Sequence, residues 1–113
     1  MNLENKSTNA LRKKRGDLIQ KLNAFEGKFL RGSLVEAYKK CGKPGCKCET
    51  GQEHGPKYSM TINFPKQKPA NDYIPLELVT DVKKHIENYH QFKDIFEQIC
   101  MINREIIKRR EEL

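Results

Sequence analysis

Tryptophan is absent from this chain of 113 residues, and aromatic residues of all kinds make up only 8%. Hydrophobic residues reach 36%, against 33% charged. So few large apolar side chains exclude an extensive core, and chains of this kind often gain stability from a metal, a disulfide or a partner subunit. No apolar run approaches the roughly 18 residues of a membrane-spanning helix, which excludes a transmembrane segment. The stretch from Met1 to Ala10 is polar and lacks the apolar core of a signal peptide. A cytoplasmic protein with no membrane partner is therefore expected. In that compartment clustered cysteines act as metal ligands more often than as disulfides. The motifs of common catalytic sites are missing too: no HExxH, no glycine-rich phosphate loop and no carboxylate cluster. The chain reads as a binding protein and not as an enzyme. Glu36, Glu49 and Glu53 would supply a general base only if a metal-bound water stood beside them.

What is present begins with positive charge. The formal net charge is +7, distributed as +5 over residues 1–32, +3 over 33–75 and −1 over 76–113. An excess of lysine and arginine in the first two thirds favours acidic partners, with nucleic acid, DNA or RNA, first among them.

Apolar periodicity then gives the architecture. Residues 1–8 are polar and are expected to be a flexible tail. Leu11, Leu18, Leu22, Phe25 and Phe29 line one helical face, predicting a basic helix over 9–30 capped by Ser7, Thr8 or Asn9 and stopped by Gly27 or Gly32. Residues 33–38 have the composition of a strand. Tyr58, Met60, Ile62 and Phe64 alternate with Ser59, Thr61 and Asn63, the pattern of a half-buried strand. Pro65 to Asn71 reads as a hairpin loop, and Tyr73 and Ile74 as a short third strand. Region 31–74 is thus a small antiparallel sheet, and 1–113 a single domain of the α+β class.

No glycine or proline follows Pro75, which suits the first position of a helix over 75–113. Leu78, Val82, His85, Tyr89, Phe92, Phe96, Ile99, Asn103 and Ile106 follow spacings of four and three, a seam of coiled-coil type that Ile86, Ile95, Ile102 and Ile107 widen. Cys100, within this apolar stripe, is expected to be a small buried hydrophobe. Such a seam needs another helix. The N-terminal helix folded back, a second copy in a homodimer, or both would cover it, and Asn103 is of the type that fixes register.

The chemistry concentrates between the first two strands. Cys41, Cys46, Cys48 and His54 fall close together, separated by Gly42, Pro44, Gly45 and Gly51. Three thiolates and an imidazole brought together by tight turns suit tetrahedral Zn2+. His54 is the expected fourth ligand; water, His85, His90 or a partner's residue are alternatives. A structural zinc in this loop would make the hairpin rigid and present Lys39, Lys40, Lys43, Lys47 and Lys57 to phosphates, with Arg12, Lys13, Lys14 and Arg15 on the first helix as a second patch. Tyr38 or Tyr58 could stack on unpaired bases, although Tyr58 lies on the apolar face of its strand, where a core role is the simpler reading.

The residues Gly32-Ser33-Leu34-Val35-Glu36, Tyr38, Cys41-Gly42-Lys43-Pro44-Gly45-Cys46-Lys47-Cys48, His54-Gly55-Pro56 and Tyr58 resemble the signature of an uncharacterised prokaryotic domain family. Tyr73-Ile74-Pro75, Leu78 and Tyr89 extend the resemblance, which covers about residues 28–100. Lys57 stands where an aromatic residue is expected, a departure that touches no metal ligand. Genes of this family tend to lie near transposases and other mobile-element genes. The resemblance implies a metal-binding accessory protein of a mobile element or a defence system.

Overall fold

Ser7 starts the first helix. Its hydroxyl accepts a hydrogen bond from the Ala10 amide at 3.1 Å, satisfying one of the amide donors that a helix leaves open, and α1 runs Thr8–Ala24. This computed structural model describes residues 2–39 and 54–113. The helix ends at Ala24, earlier than the expected residue 30, because Glu26 and Gly27 turn into the left-handed region with φ of +55° and +73°. Phe25 and Phe29 therefore lie beyond the helix. They still pack, with ring centroids 5.4 Å apart, and Phe29 meets Phe92 at 5.2 Å.

Three strands follow: β1 (Ser33–Lys39), β2 (His54–Ile62) and β3 (Ala70–Ile74). They form one antiparallel sheet in the order β1-β2-β3. Gly32 leads into β1 at a point where a side chain does not fit: an added Cβ would lie 2.9 Å from Met60 Cγ and 3.0 Å from the Thr61 carbonyl oxygen. After β3, Pro75 precedes a single 3-10 turn, Leu76–Leu78, and is not itself helical. Helix α2 then runs without interruption over Val79–Lys108, 30 residues or ~45 Å. None of the described helices is long and apolar enough to cross a membrane.

Contacts group the chain into two compact units, Met1–Phe29 with Glu87–Leu113, and Leu30–Ile86. In the first, α1 covers the C-terminal part of α2. Leu3, Leu11, Leu18, Ile95, Ile102 and Ile106 are buried there, with Leu22, Phe25 and Ile99 packed against them. Leu3 belongs to the stretch expected to be a flexible tail. It is held by its burial and by Arg109, which donates to its carbonyl at 3.1 Å and to Thr8 Oγ1 at 3.2 Å. Asn88 is also buried, its Nδ2 donating to the Lys28 carbonyl at 3.0 Å, so it ties α2 to the chain just past the end of α1.

The expected seam needs correction here. Ile106 of the seam is buried together with Ile95 and Ile102, which widen it, whereas Phe96 is 52% exposed and Cys100 is exposed rather than buried. Cys100 and Ile102 stand about 200° apart around the helix axis, so a neighbour that buries one leaves the other bare. Asn103 accepts a hydrogen bond from Arg15 at 2.7 Å and so fixes the register of α1 on α2 within the chain.

In the second unit Met60, Ile74, Val79 and Val82 are buried, and Leu30, Leu34, Tyr58, Ile62 and Ile86 pack against them. Tyr58 is thus a core residue, the simpler of its two readings. Within this unit the start of α2 packs through Val79, Val82 and Ile86 on the face that bears Met60 and Ile74, and this leaves the two faces of the sheet chemically different.

Candidate functional site

The candidate site is built on the β1–β2 hairpin. From Ser33↔Thr61 to Ala37↔Lys57 the register is regular; it then shifts, and the last pair is Lys39↔His54. Two steps along β1 answer three along β2, a bulge that bends the strand end. The main chains of Lys39 and His54 therefore lie side by side, and segment 40–53 departs and returns at adjacent strand ends. Cys41, Cys46 and Cys48 lie in that segment, outside the described residues, as do Lys40, Lys43, Lys47, Glu49 and Glu53. For His54 and Lys39 the backbone alone is described. Among the described residues no group of three or more His, Cys, Asp or Glu side chains could hold a metal ion. His85 is half-buried in the sheet unit, its carbonyl accepting from the Leu30 amide at 3.1 Å. His90 is exposed in the other unit, its ring 6.0 Å from that of Tyr89.

Tyr38 stands exposed near the end of β1 and donates to Glu36 Oε1 at 2.9 Å. That hydrogen bond, with the carboxylate's negative charge beside it, pushes the phenol above its ordinary pKa. Tyr38 is a neutral hydrogen-bonding aromatic at every physiological pH.

The expected basic patch on α1 divides into two kinds of residue. Arg12 donates to the Glu112 carbonyl at 2.6 Å, and Arg15 donates to Asn103 Oδ1 and to the Leu113 main-chain oxygen. Both guanidinium groups thus have structural work within their own unit. Lys13 is exposed and Lys14 half-buried. Lys57 is exposed on β2, opposite Ala37.

The sheet face that bears Lys57 was not singled out by the sequence. Pairing aligns Val35, Ser59 and Tyr73 in one row across the three strands, and Ser33, Thr61 and Asn71 in the next. Tyr73 is 69% exposed and Val35 43%. At the end of this face, Arg31 donates to the Asn63 carbonyl at 2.8 Å and holds its guanidinium 5.3 Å from the centroid of the Phe64 ring. The period-two pattern of β2 contained the signal, because the positions opposite its apolar residues define the outer face.

Comparison with known proteins adds one match. A family profile described as a domain of unknown function, DUF6788, matches residues 8–84. No curated protein and no solved structure matches the chain. The matched span takes in α1, all three strands, the cysteine segment and the first turn of α2, about two thirds of the sequence. The chain belongs to the family of the domain of unknown function DUF6788.

Proposed function

We propose that this chain is a small zinc-binding accessory protein that binds nucleic acid and serves a mobile element or a defence system in the cytoplasm. The observation that carries the proposal is the pairing Lys39↔His54, which brings together the two ends of the segment that holds Cys41, Cys46 and Cys48. A hairpin closed at its base is the setting in which three thiols and the His54 imidazole suit one Zn2+ ion. Lys40, Lys43 and Lys47 belong to the same segment and Lys57 to the strand beyond it, so a metal-stapled hairpin would carry a concentration of positive charge. The link to mobile elements rests on the resemblance of residues 32–58 described above.

Nucleic-acid binding predicts a steep dependence on salt, because lysines that neutralise phosphates release counterions. A labelled oligonucleotide titrated by fluorescence anisotropy is expected to bind at low salt and to weaken progressively as salt rises. The triple substitution Lys43→Gln, Lys47→Gln and Lys57→Gln should weaken binding and flatten the salt dependence. Binding indifferent to salt, or none at low salt, would refute the proposal.

A second reading, a zinc-stabilised interaction protein that pairs with itself or another protein through α2, is favoured by one feature. Phe96, Met101 and Ile107 are exposed on that helix within the first unit. Sedimentation velocity on the full chain should then show a dimer that the pair Phe96→Glu and Ile107→Glu dissociates without loss of helix content. A monomer at every concentration would remove self-pairing.

A further inference from the structure

We infer that the outer face of the sheet is a platform for one unpaired nucleic-acid strand, with Tyr73 as its stacking side chain. This inference rests on the nucleic-acid reading and gives it a surface and a substrate form.

The two faces of the sheet differ in the sign of their charge. Register pairs Glu36 with Tyr58 and Asp72 with Met60, so the carboxylates of the described strand residues occupy positions on the core face. The outer positions are Ser33, Val35 and Ala37 on β1, Lys57, Ser59 and Thr61 on β2, and Asn71 and Tyr73 on β3. None of them is acidic, and Lys57 is a cation. The β2–β3 loop, 63–69, also lacks a carboxylate; it carries Lys66 and Lys68, both exposed. Arg31 is tied to the start of that loop through the Asn63 carbonyl and the Phe64 ring. Among the described residues, cations therefore stand at both ends of a face without carboxylates, Lys57 towards the hairpin base and Arg31, Lys66 and Lys68 at the other.

The relief of the surface suits a base. Ser59 is a small residue on the central strand, flanked in the same row by Val35 and Tyr73. The row spans two inter-strand spacings, ~10 Å. It sets a small serine between an exposed valine and an exposed tyrosine. Tyr73 projects from the edge strand with its ring mostly in solvent. An exposed ring beside spaced cations is the arrangement by which proteins hold single strands without reading sequence: bases stack and phosphates follow the charge. A duplex offers its base faces to itself and gains nothing from Tyr73. A protein partner is less well matched, since protein interfaces rely on a buried apolar centre, and here the single ring shares its face with Ser33, Ser59, Thr61 and Asn71.

The test compares the full wild-type chain with Tyr73→Ala and Tyr73→Phe, using oligothymidylate, oligouridylate and a duplex of equal length, by anisotropy at low salt. Wild type and Tyr73→Phe should bind both unpaired strands more tightly than the duplex. Tyr73→Ala should lose roughly 5- to 150-fold in affinity for the unpaired strands, the range of one base–aromatic stack. Its thermal melt should match wild type, because the side chain it removes is exposed. Equal binding by Tyr73→Ala, a preference for duplex, or displacement by polyglutamate as effective as by the oligonucleotide would overturn the platform and leave salt-sensitive nucleic-acid binding standing. No binding of either form by the wild type would remove both.

Discussion

Cys46→Ser, purified under reducing conditions, is expected to come off the column without zinc and to melt well below the wild type, which should carry about one zinc per chain. The two losses should appear together, because the metal would do its work by closing the hairpin. Among its described residues the sheet unit has few buried side chains to spare: Met60, Ile74, Val79 and Val82 are the buried hydrophobics, and β1 reaches this core through half-buried Leu34. Among the described residues β1 pairs with β2 alone, and the chain must close across residues 40–53 to make that pair. Closing a loop of this length costs roughly 2 kcal/mol beyond a constant term. Ligation by thiolates on either side of the turn would offset it. His54→Ala should retain metal more weakly than wild type, since three thiolates still bind but leave the fourth position to water. Elemental analysis quantified per chain and thermal melts of the three proteins decide the matter. Zinc retained by Cys46→Ser with an unchanged melt would sink the claim, and a wild type without metal would remove it altogether.

How much of this was legible in the sequence depends on the distance over which each cause acts. Local causes read well. Ser7 as a helix cap, the alternation through Tyr58, Met60 and Ile62, and the short third strand at Tyr73 and Ile74 all follow from neighbours in the chain. The same local reading overran where a tertiary event intervened. Phe64 continues the alternation of β2, but the strand ends at Ile62 and the ring lies exposed beneath Arg31. In α2 the spacing of four and three placed Phe96 and Cys100 inside, because a helix with apolar residues on several adjacent lines does not say which line its neighbour will choose. α1 covers the line Ile95, Ile102 and Ile106. Asn88 could not be found by pattern at all, as its partner is the Lys28 carbonyl, in the chain past the end of α1.

The candidate site divides in the same way. The spacing of Cys41, Cys46, Cys48 and His54 is a local signal and needs no partner to be read. Arg12 and Arg15 looked like part of a phosphate-binding patch because nothing nearby in sequence claims them. Their hydrogen-bond partners, Asn103, Glu112 and Leu113, come from the other end of the chain. The outer sheet face depends on the register of three strands, which fixes that Tyr73 shares a row with Ser59 and Val35.

Leu11→Ala is expected to destabilise the protein by about 2–5 kcal/mol, a large part of the whole for a chain of this size. Among the described residues Leu11, Ile102 and Ile106 are the largest fully buried side chains, each with 0% exposure, and they meet where α1 lies on α2. Removing the Leu11 side chain at the centre of that contact leaves a cavity that neighbours on two rigid helices cannot readily fill. Ile19→Ala on the same helix is the control. Its side chain is 44% exposed, and its loss should cost well under half of the Leu11 effect. Urea titrations followed by helix content give both values from the shift in midpoint at constant slope. The comparison tests the packing directly. Equal losses at the two positions would rule out the burial of the Leu11 face of α1 against α2.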